Sequence, residues 1–279
     1  MTAGASAAPP VTRYVEHVMG LPISLALRGR HADDASGRDA WRAVMASLGH
    51  ADRVFSTYRS DSIVSRLDRG ELAPDDPAVL AEVGEVLALA DRAERASDGA
   101  FSAWRHGPDG RRRLDPSGVV KGWAVERAAA ALRALDDTDF CLGAGGDVLG
   151  RALDPDLPWR VGIEDPHDTR SVLAVVPIRD GAVATSGTAH RGAHVVDART
   201  GLPPVGVASV TVIAGSLTVA DVDATAAFAR GADAAAWLGH RVGRTGLVVA
   251  DDGTITSVPA ARTPPSGSRG AAARSCRAS

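Results

Sequence analysis

Three short stretches of this chain hold side chains with chemistry to offer. The first is LDPSGVVKGWAVERAAAAL, residues 114–132, which contains Asp115 and Lys121. Lys121 is the single lysine among 31 basic residues of the Lys and Arg types, so the other 30 are arginine. A composition that favours arginine this strongly keeps a lysine where a compact ammonium fits and a wide guanidinium does not. Here it follows a Pro-Ser-Gly turn that leads into a helix. Free backbone N–H groups, a carboxylate and an ammonium at a helix start suit an anion such as phosphate, and a surface lysine beside a turn is the plain alternative. The second stretch is ADVDAT, residues 220–225. On a helix Asp221 and Thr225 share one face, with Cβ atoms about 5–6 Å apart. A carboxylate and a hydroxyl converging there suit a hard cation such as magnesium, which takes oxygen ligands and is completed by substrate phosphates. The same spacing also describes an acid favourable to the helix dipole and a threonine bonded back to the preceding turn.

The third stretch is HVVDARTGLP, where His194 stands three residues before Asp197. Histidine is readily tuned for proton transfer near neutral pH, and a hydrogen-bonded structural histidine fits these residues equally well. His190 lies four residues earlier, but Gly192 intervenes and no third ligand is near, so zinc is not indicated. Ser186 in ATSGT lacks the flanking glycines of a nucleophile elbow. The glycines of FCLGAGGDVLG, residues 140–150, put Val148 where a dinucleotide fingerprint needs its third glycine. No helical periodicity follows, so these glycines predict a turn or close strand packing.

The elements that must position these residues alternate between two periods. Ile23, Leu25 and Leu27 alternate with polar or small residues as in a half-buried strand. Trp41, Val44, Met45, Leu48 and Phe55 recur at helical spacing after Ser36, a candidate cap. Further helices are expected over about 77–97, 122–135 and 217–238. Strands are expected at FCLGA, WRVGIE, SVLAVVPI, AHVVDA and VASVTVIAG, with a closing hairpin at GLVVADDGTITSV. Strands cluster after the first three helices and hairpin links dominate, which predicts an α+β fold with a mostly antiparallel sheet. Residues 1–13 and 259–279 are small, Pro/Gly/Ser-rich and aperiodic, and are expected to be disordered ends around a single unit over 14–258.

Composition narrows the partners. With 45% hydrophobic and 23% charged residues the chain is an ordinary globular protein, and a net charge of -3 gives no reason to expect nucleic acid. Cys141 and Cys276 make neither a disulfide framework nor a cysteine metal cage. No apolar run approaches the ~18 residues of a membrane span, and the first residues lack the pattern of a signal peptide, which predicts a cytoplasmic protein.

Taken in order, nine segments resemble the ApbE family of FAD:protein FMN transferases. They are VMGLP (18–22), FSTYRSDSIVSRL (55–67), DGAFS (98–102), LDPSGVVKGWAVERAA (114–129), GAGGDVLG (143–150), WRVGIEDP (159–166), AVATSGT (182–188), HVVDARTGLP (194–203) and SVTVIAGSLTVADVDATAAF (209–228). The resemblance implies an ApbE-like, T-fold-like architecture. It implies that FAD, as substrate, is gripped by Met19, Tyr58, Ala100, Phe101, Ser102, Asp115, Lys121 and Val195. It implies a magnesium ion held by Asp221 and Thr225, with Ala224 adjoining and the Gly118 carbonyl opposite. The implied reaction moves FMN onto a threonine or serine of an acceptor protein and releases AMP, with His194, Lys121 and Asp221 as the catalytic set.

The chain departs from the family pattern at Ile63, at Pro116-Ser117, at Ser102, at Ala198, and in the short segment TAHRGA before His194. None removes an implied magnesium ligand; the short segment bears on acceptor choice. Many relatives are exported, so the resemblance also allows an extracytoplasmic location. Two other activities use the same residues: an FAD pyrophosphatase with water as acceptor, and a flavin-binding protein without turnover.

Overall fold

The computed structural model describes residues 9–106, 109–189 and 195–261. The chain opens with a hairpin of β1 (Thr12–Val18) and β2 (Leu21–Gly29). Its two-residue turn, Met19-Gly20, has φ of 56° and 69°, the positive pair that matches the twist of a tight hairpin. Three helices follow: α1 (Ala35–Phe55), α2 (Ile63–Asp68) and α3 (Ala81–Ala96). A small hairpin, β3 (Trp104–His106) and β4 (Arg112–Leu114), leads into α4 (Ser117–Ala128) and α5 (Ala130–Arg133). Next come β5 (Thr138–Ala144), β6 (Asp147–Arg151), the hairpin β7 (Trp159–Asp165) and β8 (Asp168–Ile178), then β9 (Asp180–Gly187) and β10 (Ser209–Ala214). The described chain ends with α6 (Leu217–Ala229), a 3-10 turn at Gly231–Asp233, α7 (Ala234–Gly239), β11 (Thr245–Val249) and β12 (Ile255–Val258).

Eight strands form one sheet in the order β1-β2-β5-β6-β9-β10-β11-β12. Every neighbouring pair in it is antiparallel, and the sheet does not close into a barrel. This is the α+β, mostly antiparallel fold that the hairpin-rich sequence predicts. One face carries Ile23, Leu25, Leu27, Phe140, Leu142, Leu149, Val210 and Val212 into a core shared with Val44 and Leu48 of α1 and Val119 of α4. Burying each large aliphatic side chain of this kind contributes about 1.5–3 kcal/mol before conformational entropy is subtracted.

α6 is the central helix. Its buried residues include Leu217, Ala220, Val222, Ala224, Ala226, Ala227 and Phe228, so it is enclosed all round, as a helix without a polar stripe must be. Its small alanines let β9, β10 and α4 approach closely. Its two acids are buried as well: Asp223 pairs with Arg241 at 3.0 Å and Arg244 at 2.7 Å, whereas Asp221 faces α4.

Several boundaries differ from the sequence expectation. Asp34, not Ser36, caps α1, its carboxylate accepting the Gly37 N–H at 3.0 Å. α3 starts at Ala81 rather than 77. α4 starts at Ser117 and the helical run breaks at Ala129, in place of one helix over 122–135; Gly118 and Gly122 read as poor helix formers, but close tertiary contact requires them. The helix expected over 217–238 is interrupted at Gly231, whose φ is 63° and whose added Cβ would lie 2.5 Å from the Val205 carbonyl. No strand forms at the described part of AHVVDA; Asp197 instead bridges Leu202 across a tight turn. β1 starts at Thr12, inside the stretch expected to be a loose end, and Met1–Ala8 and 262–279 lie outside the described residues.

Candidate functional site

A cleft of about 1040 Å³ opens at the ends of α4 and α6 and takes in Met19, Tyr58, Phe101, Ser102, Asp115, Gly118, Lys121, Val195, Asp221 and Thr225. Its floor is built around Lys121. The Nζ lies 2.6 Å from Asp147 Oδ2 and 3.1 Å from Asp221 Oδ1. Each carboxylate is fixed by its second oxygen, Asp221 accepting the Gly122 N–H at 2.8 Å and Asp147 the Thr185 N–H at 3.1 Å. Three elements thus converge on one ammonium: α4 supplies the lysine, α6 and β6 the acids, and β9 anchors Asp147.

Burial alone would lower the Lys121 pKa, but the charges of Asp221 and Asp147 override it and hold the amine above the ordinary lysine range. Burial pushes the Asp221 carboxyl up to about 7, against the pull of Lys121 and with the push of Asp147. Desolvation is the larger cause, and the second buried carboxylate beside the one ammonium adds to it.

Neutral oxygens flank this triad. Thr225, one turn beyond Asp221, has its Oγ1 3.2 Å from Ser186 Oγ of β9. Gly118 lies opposite, where a Cβ would come 3.6 Å from Thr225 Cγ2 and 2.8 Å from Phe101 Cε2. Among the described residues no three His, Cys, Asp or Glu side chains converge as a metal cage. The donors are the Asp221 carboxylate and the Thr225 and Ser186 hydroxyls, with Asp147 beside them. That set fits a magnesium ion whose remaining positions are left to water and phosphate.

The remaining expected residues sort themselves by depth. Asp115 accepts the Ser117 N–H at 3.2 Å and the Arg105 Nε–H at 3.0 Å, which ties the start of α4 to the β3–β4 hairpin. Ser102 donates to Glu94 at 3.0 Å. Tyr58 stands in solvent at 98% exposure, and Met19 holds its positive φ at the cleft edge. Ala100 and Ala224 do not line the cleft. Ala100 is buried behind it, its carbonyl accepting the Ala198 N–H at 3.0 Å, and Ala224 is buried within α6. His194 and His190 lie outside the described residues.

Two participants escaped the sequence reading. Asp147 sits inside a glycine run that by itself signals only a turn; Gly145 and Gly146, with φ of 58° and 102°, form the hairpin turn that delivers it to Lys121. Ser186 lacks the context of a nucleophile, and its place beside Thr225 depends on packing of α6 on β9 that local sequence does not show.

Comparison with known proteins follows the same lines. The ApbE family model matches residues 103–246. An FAD:protein FMN transferase of Rhodobacter capsulatus is 31% identical over 223 residues, covering 76% of this chain but 38% of that protein's length. One from Haemophilus influenzae is 25% identical over 260 residues, 72% of this chain and 75% of the relative. Among solved structures, the apo form of the Pseudomonas stutzeri flavinyl transferase ApbE superposes with a TM-score of 0.74 at 25% identity, covering 90% of this chain and 95% of that one. The Vibrio cholerae flavin transferase ApbE gives 0.73 at 23% identity, covering 89% and 97%. With a family model spanning half its residues and this fold shared along nearly its whole described length, the chain belongs to the ApbE family.

Proposed function

We propose that this protein transfers the FMN half of FAD to a threonine or serine hydroxyl of an acceptor protein and releases AMP. The observation that carries the reading is the sole lysine lodged between two buried acids on the floor of a dinucleotide-sized cleft, in a chain whose relatives are named for this transfer. In the step, the acceptor oxygen bonds to the phosphorus of the FMN phosphate, the bond from that phosphorus to the bridging oxygen breaks, and AMP departs with that oxygen. Positioning and charge neutralisation supply most of the catalysis in such a transfer.

Lys121 brings fixed positive charge to the pyrophosphate, and Asp147 and Asp221 keep its ammonium aimed and protonated. Asp221, Thr225 and the Gly118 carbonyl would hold magnesium, with Ala224 shaping the turn between the first two. When bound, magnesium neutralises charge on the phosphate oxygens. Met19, Tyr58, Phe101, Ser102, Asp115 and Val195 grip FAD, and Ala100 backs that wall. His194, adjacent in sequence to the cleft residue Val195, is assigned as the base that takes the acceptor's proton, since an unactivated alcohol is a poor nucleophile at neutral pH.

The test is to incubate the protein with FAD, magnesium and an acceptor domain carrying a threonine flavinylation motif, and to follow acceptor mass and AMP together. The reading expects AMP in step with an acceptor that gains the mass of FMN, and neither product with a chelator present. FMN and AMP with an unmodified acceptor would replace it with a pyrophosphatase. FAD binding without AMP would replace it with a storage protein.

A further inference from the structure

At the mouth of the cleft the β3–β4 hairpin presents Trp104, which lines the cavity and is 38% exposed. An indole is the largest apolar side chain, and leaving it at a rim forgoes burial that a purely structural tryptophan would take. It is nevertheless held in place. The Arg112 guanidinium carbon lies 4.9 Å from the ring centroid, within the range of a cation–π contact. Trp104 pairs with Leu114 and His106 with Arg112, so Trp104 and Arg112 are diagonal neighbours across the two strands.

The backbone beneath is pinned on both strands. The Trp104 N–H donates to Ser102 Oγ at 3.1 Å, the Leu114 N–H to Asp68 Oδ1 at 2.6 Å, and the Asp115 N–H to the Ala103 carbonyl at 2.7 Å. Tyr58, nearly fully exposed, lines the same cleft. An oriented indole and an exposed phenol at the edge of a cavity that holds the Lys121 ammonium make a surface suited to a flat π system attached to a phosphate.

We propose that Trp104 is a stacking residue for a planar heteroaromatic ring of the bound dinucleotide, with Arg112 as the residue that positions its indole. The proposal rests on the flavin-transfer reading and deepens it. Isoalloxazine and adenine share the recognised chemistry, because each offers a π face whatever its hydrogen-bonding edges.

Calorimetric titration of the wild-type chain, Trp104→Phe and Trp104→Ala with FAD, riboflavin and ADP separates the possibilities. The alanine variant is expected to bind FAD about 5- to 150-fold more weakly, the range that loss of one ring stack spans. The phenylalanine variant is expected to stay within about threefold, since a π face remains. Loss confined to riboflavin assigns the ring to the flavin end, and loss confined to ADP assigns it to adenine. Wild-type FAD affinity in the alanine variant overturns the proposal, as does an equal loss for both fragments with a lowered unfolding midpoint, the mark of a structural role. A wild-type chain that binds no FAD overturns the functional reading as well, so the two failures are distinguishable.

Discussion

The Gly122 amide nitrogen lies 2.8 Å from Asp221 Oδ2, and a methyl group on that glycine would come 2.8 Å from Asp221 Cβ and 2.8 Å from the Leu217 carbonyl. Helices α4 and α6 therefore meet at a point where a side chain on one would displace the acid on the other. Gly122→Ala is expected to cost about 1–3 kcal/mol, the usual penalty for overpacking a filled site. Urea unfolding measures that cost, and the transfer assay should fall with it because Asp221 moves. An alanine variant with wild-type stability and rate would show that the helices separate freely.

Asp221→Ala is expected to lower the transfer rate by on the order of 10²-fold or more, as removal of a preorganised electrostatic group does, while FAD affinity falls much less. In the same variant, added magnesium should no longer raise the unfolding midpoint, because a ligand stabilises only the fold that binds it. A magnesium-dependent midpoint that survives the substitution would move the ion to other residues.

Lys121 gives a readout that needs no substrate, since the chain holds no other lysine. Reductive methylation at pH 8, counted by mass, should modify the α-amine of the folded protein and spare Lys121, whose ammonium is ion-paired and kept protonated above the ordinary range. Urea should expose the second amine, and Asp147→Asn should expose it in part without urea. Equal rates for both amines in the folded wild type would mean that the ion pairs do not persist in solution.

Burial pushes the Cys141 thiol up to about 11. In a Cys276→Ser background, alkylation of Cys141 at pH 8 should be about tenfold slower or more than in the unfolded chain, because the thiolate is the reacting form. The linkage runs the same way. The unfolded thiol ionises near ~8.5, so its contribution to stability is whole below that pH and declines as pH rises toward about 11. Unfolding free energies of the parent and Cys141→Ala should therefore converge across that window, and parallel curves would contradict the shift.

Much of this site was legible because its signals are local or compositional. Asp221 and Thr225 lie one helical turn apart, and a lone lysine stands out against arginines without any structure. The glycine pair after Ala144 announced a turn through its need for positive φ. What could not be read depends on partners far along the chain. Asp147 meets Lys121 because β6 pairs with β9 while α4 packs on α6, and Ser186 meets Thr225 because α6 lies against β9. The helix break at Gly231 answers to the close approach of the Val205 backbone, which local propensity does not show. β1 escaped notice because an edge strand with an exposed face carries little apolar alternation.

The strand order has a consequence for how such a protein changes over generations. Each strand of the eight lies beside its predecessor in the sheet, and the working parts sit in excursions between neighbours: α1 to α4 between β2 and β5, the β7–β8 hairpin between β6 and β9, and α6 with α7 between β10 and β11. Lengthening an excursion costs only slowly growing loop entropy and leaves the ladder hydrogen bonds intact. The ladder that holds Asp147 on β6 can thus stay in register while the loops at the rims of the excursions are lengthened or shortened.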